Sequence, residues 1–197
     1  MNPAVTSQEE ILRVSRQLLR EQGWQAVNIR SVAGACGVSV GAIYNYFDSK
    51  AELVTAVVES VWCELFRPEE KHFSDVLSCI RWLYQRLDYG SVRYPGFFTL
   101  HSVCLPGEER ENGKARMQRT WAHILESLHL VLQRDPNIRP DAFDQDFTAG
   151  QMAEVLFSQL LSALLRQDYD PSTVLELVRR TLYRAEGTGH FPEGEQE

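Results

Sequence analysis

The chain is 197 residues long, 44% hydrophobic and carries a formal charge of −7 at neutral pH, which provides apolar material for one or two small domains with a real core. No apolar run is long enough to cross a bilayer, and the opening MNPAVTSQEE has neither the basic nor the apolar region of a secretory signal, so a soluble cytoplasmic protein is expected. The four cysteines, Cys36, Cys63, Cys79 and Cys104, are scattered, which in such a compartment reads as free thiols and not as a disulfide framework. The charge is uneven: five Lys/Arg against four Asp/Glu through Lys50, then fifteen against twenty-three. A mildly positive N-terminal segment is compatible with phosphate contact, and the acidic remainder should face away from nucleic acid.

A first helix is predicted from Ser7, where Ser7-x-x-Glu10 has the form of a capping box, and its stripe Ile11, Leu12, Leu18 and Leu19 runs to a stop at Gly23. The stretch Asn28 to Lys50, NIRSVAGACGVSVGAIYNYFDSK, then places two short helical patterns around a glycine, the outline of a helix-turn-helix. Asn28 caps the first of these, with Ile29, Val32, Ala33 and Cys36 on its apolar face. Gly37 supplies the turn, and Ser39 caps a second helix that buries Ile43 and Phe47. Outward positions Val40, Gly41, Ala42, Tyr44, Asn45 and Tyr46 carry no charge, and Gly41 weakens the helix by about 1 kcal/mol relative to alanine. A small, uncharged helix start lets backbone approach a neighbouring surface such as the DNA major groove. An ordinary corner between two helices has the same pattern.

Val32-Ala33, Gly37-Val38-Ser39, Gly41, Tyr44, Asn45-Tyr46-Phe47, Ser49-Lys50 and Glu52-Leu53, with Ile11, Leu18-Leu19 and Gly23-Trp24 upstream, resemble the DNA-binding signature of the TetR family of bacterial transcriptional regulators. The resemblance covers about the first sixty residues. It departs mildly at Asn28, Val32 and Ser15, where threonine, isoleucine and alanine are usual. It implies an all-α protein with an N-terminal helix-turn-helix DNA-binding domain over 1–50, a linking helix over about 49–66, a helical effector-binding and dimerisation domain over 51–186, and a tail over 187–197 read as disordered. It implies contact with a double-stranded DNA operator through Asn28, Arg30, Ser39, Val40, Gly41, Ala42, Tyr44, Asn45, Tyr46 and Lys50. Tyr44 and Lys50 are placed on phosphates, and Val40, Ala42 and Asn45 nearer base edges. Arg13, Arg16 and Arg20 read more simply as a solvated helix face.

A second box, Ser49-x-x-Glu52, opens the linking helix, which carries Leu53, Val57, Val58, Val61, Trp62 and Leu65 toward Pro68. Val76, Ile80, Leu83, Tyr84 and Leu87 mark the next helix, ending near Gly90. FFTLHSVCL follows, and PGEERENG reads as a mobile polar loop. A helix from about Lys114 to Arg134, the connector PNIRPD, a helix from about Ala142 to Gln167 and one opening at Asp170-Pro171 complete the chain. The last two are apolar on more than one side. A two-fold homodimer through Val155, Leu156, Leu160, Leu164, Val174, Leu177, Val178 and Leu182 is therefore expected, with burial inside one subunit as the alternative.

No phosphate loop, zinc-protease or nucleophile-elbow motif is present, so no enzyme, metal or cofactor is expected. His101-x-x-Cys104 supplies only two ligands, too few for a zinc site. Cys79 and Cys104 read as buried thiols before redox sensors. Trp82, Tyr89, Phe97, Phe98, His101, Met117 and Trp121 are of the types that line apolar pockets or simply a core. The family resemblance favours a small-molecule effector site there and a repressor. A DNA-architectural protein and an all-helical enzyme are the readings from other classes.

Overall fold

Ser7 starts the structure by accepting the Glu10 N–H at 3.1 Å, which opens helix α1 over Gln8–Gln22. The expected box is half made, because the Glu10 carboxylate turns forward to grip Arg13 and not back to Ser7. This computed structural model describes residues 6–66, 73–100 and 108–183, the side chains of 99–100 and 108–120 excepted. A 3-10 turn, Trp24–Ala26, leads to α2 (Ile29–Cys36) and α3 (Val40–Tyr44). Next come α4 (Lys50–Phe66), α5 (Val76–Arg93), the single turn α6 (Phe97–Leu100), α7 (Glu108–Arg134), α8 (Ala149–Arg166) and α9 (Ser172–Leu182). Among the described residues the regular structure is helical apart from one bridge between Ile138 and Tyr183, so the all-α expectation holds.

Three predicted boundaries move. α7 begins at Glu108, inside the segment expected to be a loop, because glutamate and arginine are good helix formers and one internal glycine costs only about 1 kcal/mol. α8 begins at Ala149 and not near Ala142: the Asp144 carboxylate accepts the Asp146 and Phe147 N–H groups and closes a turn. Thr148 and Gln151 then form a complete capping box at 3.2 and 2.8 Å. α3 stops at Tyr44, so Phe47 is buried from the turn after the helix.

One continuous core joins both halves. α1 packs on α2 and α4; α4 packs on α5 and α7; α7 packs along α8; and α9 lies on α5. This arrangement changes the reading of α8 and α9. Leu156, Leu160, Leu164, Val174, Val178 and Leu182 are buried against the subunit's own helices. The two-sided apolarity of α8 is met mainly by α7 on one side and by α5 and α6 elsewhere. Val155 and Leu177 remain exposed, as does Leu165, which is 84% exposed.

The far end of the second half is tied by Asp135, 7% exposed. Its carboxylate accepts the Val76 N–H at the start of α5 at 2.9 Å, the Asn137 N–H at 2.9 Å and the Tyr183 hydroxyl. Burial, and then the carboxylate itself, pushes the Tyr183 phenol up, so it stays a donor. Removing a buried acceptor leaves its donors unsatisfied at about 1–3 kcal/mol each. Asp135→Ala should therefore lose about 3–5 kcal/mol in urea unfolding, whereas alanine at exposed Asp141 should cost under about 0.5 kcal/mol.

Candidate nucleic-acid interface and the aromatic core behind it

The helix-turn-helix is held by local bonds. Asn28 accepts the Ser31 N–H at 3.0 Å and donates to Ser31 Oγ and the Gln25 carbonyl at 2.9 and 3.2 Å, so its amide is committed to the cap. Gly37 takes the left-handed conformation at φ 68°, which a Cβ would disfavour. Ser39 accepts the Ala42 N–H at 3.2 Å. Ile29, Val32, Ala33, Ile43 and Phe47 are buried with Ile11, Val14 and Leu19 of α1, and Cys36 is half-buried.

Ser39, Val40, Gly41, Tyr44, Asn45 and Tyr46 are exposed, and Ala42 is half-buried. A Cβ at Gly41 would meet only Ser39 Oγ, at 3.9 Å. The subunit's own packing does not require that glycine; its small size faces outward. The Tyr46 hydroxyl donates to the Thr6 carbonyl at 2.5 Å, bracing the entry to α1 while the ring stays exposed. At the start of α4, Ser49 accepts the Glu52 N–H at 3.0 Å, and the Glu52 carboxylate accepts from Asp48 at 2.6 Å, one residue beyond the expected partner.

The five N-terminal cations separate into two groups. Arg13 pairs with Glu10 at 2.7 Å. Arg16 and Arg20 reach Glu64 of α4 at 2.9 and 3.6 Å, so they are neither a solvated face nor open to DNA. Arg30 and Lys50 are exposed and form no ion pair among the described residues. Lys50 is the first residue of α4, beside N–H groups that favour an anion.

Glu64 also meets Arg93 of α5 at 3.0 Å and a hydrogen bond from Tyr94. Burial raises its carboxyl, but Tyr94, Arg93 and Arg16 outweigh that and hold it below the usual range. A carboxyl lowered on folding stabilises fully above its unfolded value of about 4.3 and loses that contribution as pH falls through the folded value. The acid limb of the thermal midpoint should therefore be shallower in Glu64→Gln than in wild type below about pH 4.3; parallel limbs would contradict this.

Behind the helix-turn-helix runs a ladder of rings. Phe73 meets Trp82, Trp82 meets Phe66, and Phe66 stacks on Trp62, with centroids 5.4, 6.3 and 5.2 Å apart. Trp62 then contacts Phe97, Phe98 and Trp121, and Trp121 contacts Phe157. Trp24, beside the helix-turn-helix, stacks on Phe97 at 5.9 Å. Of the expected pocket residues, Trp82, Phe97, Phe98 and Trp121 are brought together. Tyr89 is not: it is exposed on α5 between the guanidinium groups of Arg86 and Arg93, at 4.6 and 5.6 Å. His101 and the Met117 side chain lie outside the described residues, as do Cys104 and the tail. Trp62, Phe66 and Phe157 join the ladder from outside the expected set, since helical periodicity does not show which rings meet. The Trp121 indole N–H is buried without a hydrogen-bond partner.

Burial pushes the Cys79 thiol up to about 12, which suppresses the thiolate a sensor needs. Among the described residues no three metal-binding side chains cluster, and no helix is long and apolar enough to cross a membrane.

An all-helical chain that presents an exposed, uncharged helix after a left-handed glycine turn, with unpaired cations beside it, is a helix-turn-helix DNA-binding regulator. Residues 11–57 match the model described as bacterial regulatory proteins, tetR family. It is 33% identical over 57 residues to the HTH-type transcriptional repressor KstR2 of Rhodococcus jostii; the match spans 29% of this chain and 28% of that protein. A longer match, 26% identical over 157 residues, covers 77% of the chain and 80% of the nucleoid occlusion factor SlmA of Vibrio cholerae. In fold it is similar to the transcriptional regulator FadR from Bacillus subtilis in complex with stearoyl-CoA, with a TM-score of 0.60 and 17% identity over 87% of this chain and 97% of that one.

Proposed function

We propose that the protein is a ligand-responsive transcriptional repressor that binds a pseudo-palindromic operator as a two-fold dimer and is released by a small apolar effector. The observation that carries this reading is the ring ladder, which is continuous from Trp24 at the DNA-binding domain to Phe157 of α8. A core built for stability alone satisfies its buried donors, and the unpartnered Trp121 indole supports an effector bearing a carbonyl, carboxylate or ether oxygen. Residues 1–50 read the DNA, with α4 as the link. Residues 51–186 bind effector and partner. Tyr44 and Lys50 hold phosphates, Arg30 is a further exposed cation beside them with no ion pair among the described residues, and Val40, Ala42 and Asn45 lie toward base edges. Two copies related by a dyad place half-sites about 34–36 Å apart or a multiple of it.

The test starts with selection of bound duplexes from a random-sequence pool. A pseudo-palindrome should emerge, and Lys50→Ala should weaken all duplexes alike while making log K against log salt shallower by about one unit. Asn45→Ala should change the preferred sequence. An unchanged salt slope in Lys50→Ala would remove the phosphate role. For the effector, the selected duplex is titrated with and without apolar acids and esters that quench tryptophan. Ligands that quench yet leave DNA affinity unchanged would remove the regulatory role. The long match to a nucleoid occlusion factor favours a second reading, a DNA-bound dimer that acts without a small effector; that same null result would select it.

A further inference from the structure

Glu64 lies 48 residues beyond Arg16 in the chain, yet it is the point where three helices meet. Arg16 and Arg20 approach it from α1, within the DNA-binding domain, at 2.9 and 3.6 Å. Arg93 approaches from the end of α5 at 3.0 Å, and Tyr94 adds a hydrogen bond. Arg20 also donates to the Tyr94 hydroxyl at 3.3 Å and lies 5.6 Å from the centre of its ring. Arg86 ties the same end of α4 to α5 through the Leu65 and Glu64 carbonyls, at 2.6 and 3.3 Å. Tyr94 begins the corner between α5 and α6, where Gly96 takes a left-handed conformation and Phe97 and Phe98 enter the ring ladder. That corner walls a cleft of about 430 Å³ lined by Asp88, Ser91, Tyr94, Phe98, Gln167 and Tyr169.

We propose that Glu64 is a positioning residue for DNA binding: it locks α1 to the α5–α6 corner, so that the corner sets the angle of the helix-turn-helix directly and not solely through α4. This rests on the reading that the exposed face from Val40 to Lys50 meets DNA in a dimer. One carboxylate serves three guanidinium groups, so losing it releases α1 and the corner from each other and leaves three cations to repel. Among the described residues the ion pairs of Arg16, Arg20 and Arg93 all go to Glu64, and no second acid pairs with any of the three. A movement at the corner is therefore transmitted to α1 while Glu64 holds, and is not transmitted without it. A fixed angle also pre-organises two recognition helices at one separation.

The experiment uses the full chain and the duplex it selects from a random pool. Glu64→Gln and Arg93→Ala should each lower affinity for that duplex about tenfold, with an unchanged salt slope, measured well below each variant's thermal midpoint because Glu64→Gln also loses, at neutral pH, the stability its lowered carboxyl contributes. Arg93 is on α5, outside the DNA-binding domain, so its loss can act only through position. Arg16→Ala and Arg93→Ala should be non-additive, and neither should lower affinity further in the Glu64→Gln background. Affinity within twofold of wild type, or raised, in both Glu64→Gln and Arg93→Ala overturns the proposal, as does a shallower salt slope in Arg16→Ala, which would make that arginine a phosphate contact. Should Glu64→Gln fold poorly, Arg93→Ala decides alone, its side chain being 38% exposed. If Lys50→Ala leaves the salt slope unchanged, the DNA face is misassigned; a normal Lys50 result with neutral Glu64 and Arg93 variants rejects this inference alone.

Discussion

Leu165→Arg with Leu177→Arg should yield a folded monomer that binds its operator at least about a hundredfold more weakly than wild type, the loss expected when two tethered half-site contacts become independent. Leu165 is 84% and Leu177 44% exposed, and Val155 is 41% exposed on the same helix as Leu165. Scattered exposed leucines need no explanation. Here, however, these three are exposed apolar positions on α8 and α9, the helices through which the proposed dimer closes about a dyad. Arginine at an exposed position costs a monomer little, but at the centre of a two-fold contact it places like charges together. Sedimentation velocity measures the mass and operator titration the affinity. A double variant that remains dimeric would move the interface elsewhere, while a monomer with undiminished affinity would end the two-half-site reading.

Phe97→Ala should lower stability by about 3–5 kcal/mol. In a chain of this size, each kcal/mol shifts the thermal midpoint by about 2–4 °C, so a fall of roughly 6–20 °C is expected. Phe97 is fully buried, and it touches Trp24 at 5.9 Å, Trp62 at 6.2 Å, Tyr94 at 6.1 Å and Phe98 at 5.2 Å. Those rings come from both sides of the junction between the DNA-binding domain and the rest, so few of them can collapse into the space left behind. Phe98→Ala, at a half-buried position, should cost less. Equal midpoints for Phe97→Ala and wild type would mean that the ring is a replaceable pocket lining and not part of the junction core.

Asn28, Gly37 and Ser39 specified the helix-turn-helix by sequence alone, because each acts on backbone three or four residues away. Capping bonds and a left-handed turn depend on residue type and spacing, so Asn28–Ser31, Ser39–Ala42 and the αL Gly37 were legible before any tertiary contact. Periodicity likewise gave α4, α5 and the buried stripe of α7. The tertiary structure decided what long-range pairing decides. Arg16 and Arg20 read as a solvated helix face until folding brought Glu64 to them, while Lys50 stayed exposed. An ion pair has no signature in spacing when its partners lie more than forty residues apart. The apolar surplus of α8 announced that two sides would be covered, but not by what; α7, α5 and α6 covered most of it and left Val155 and Leu165 outside. Ring types suggested an aromatic centre, and packing chose its members, admitting Trp62 and Phe157 and excluding Tyr89, because hydrophobic contact is non-directional and only the arrangement of helices fixes which rings meet.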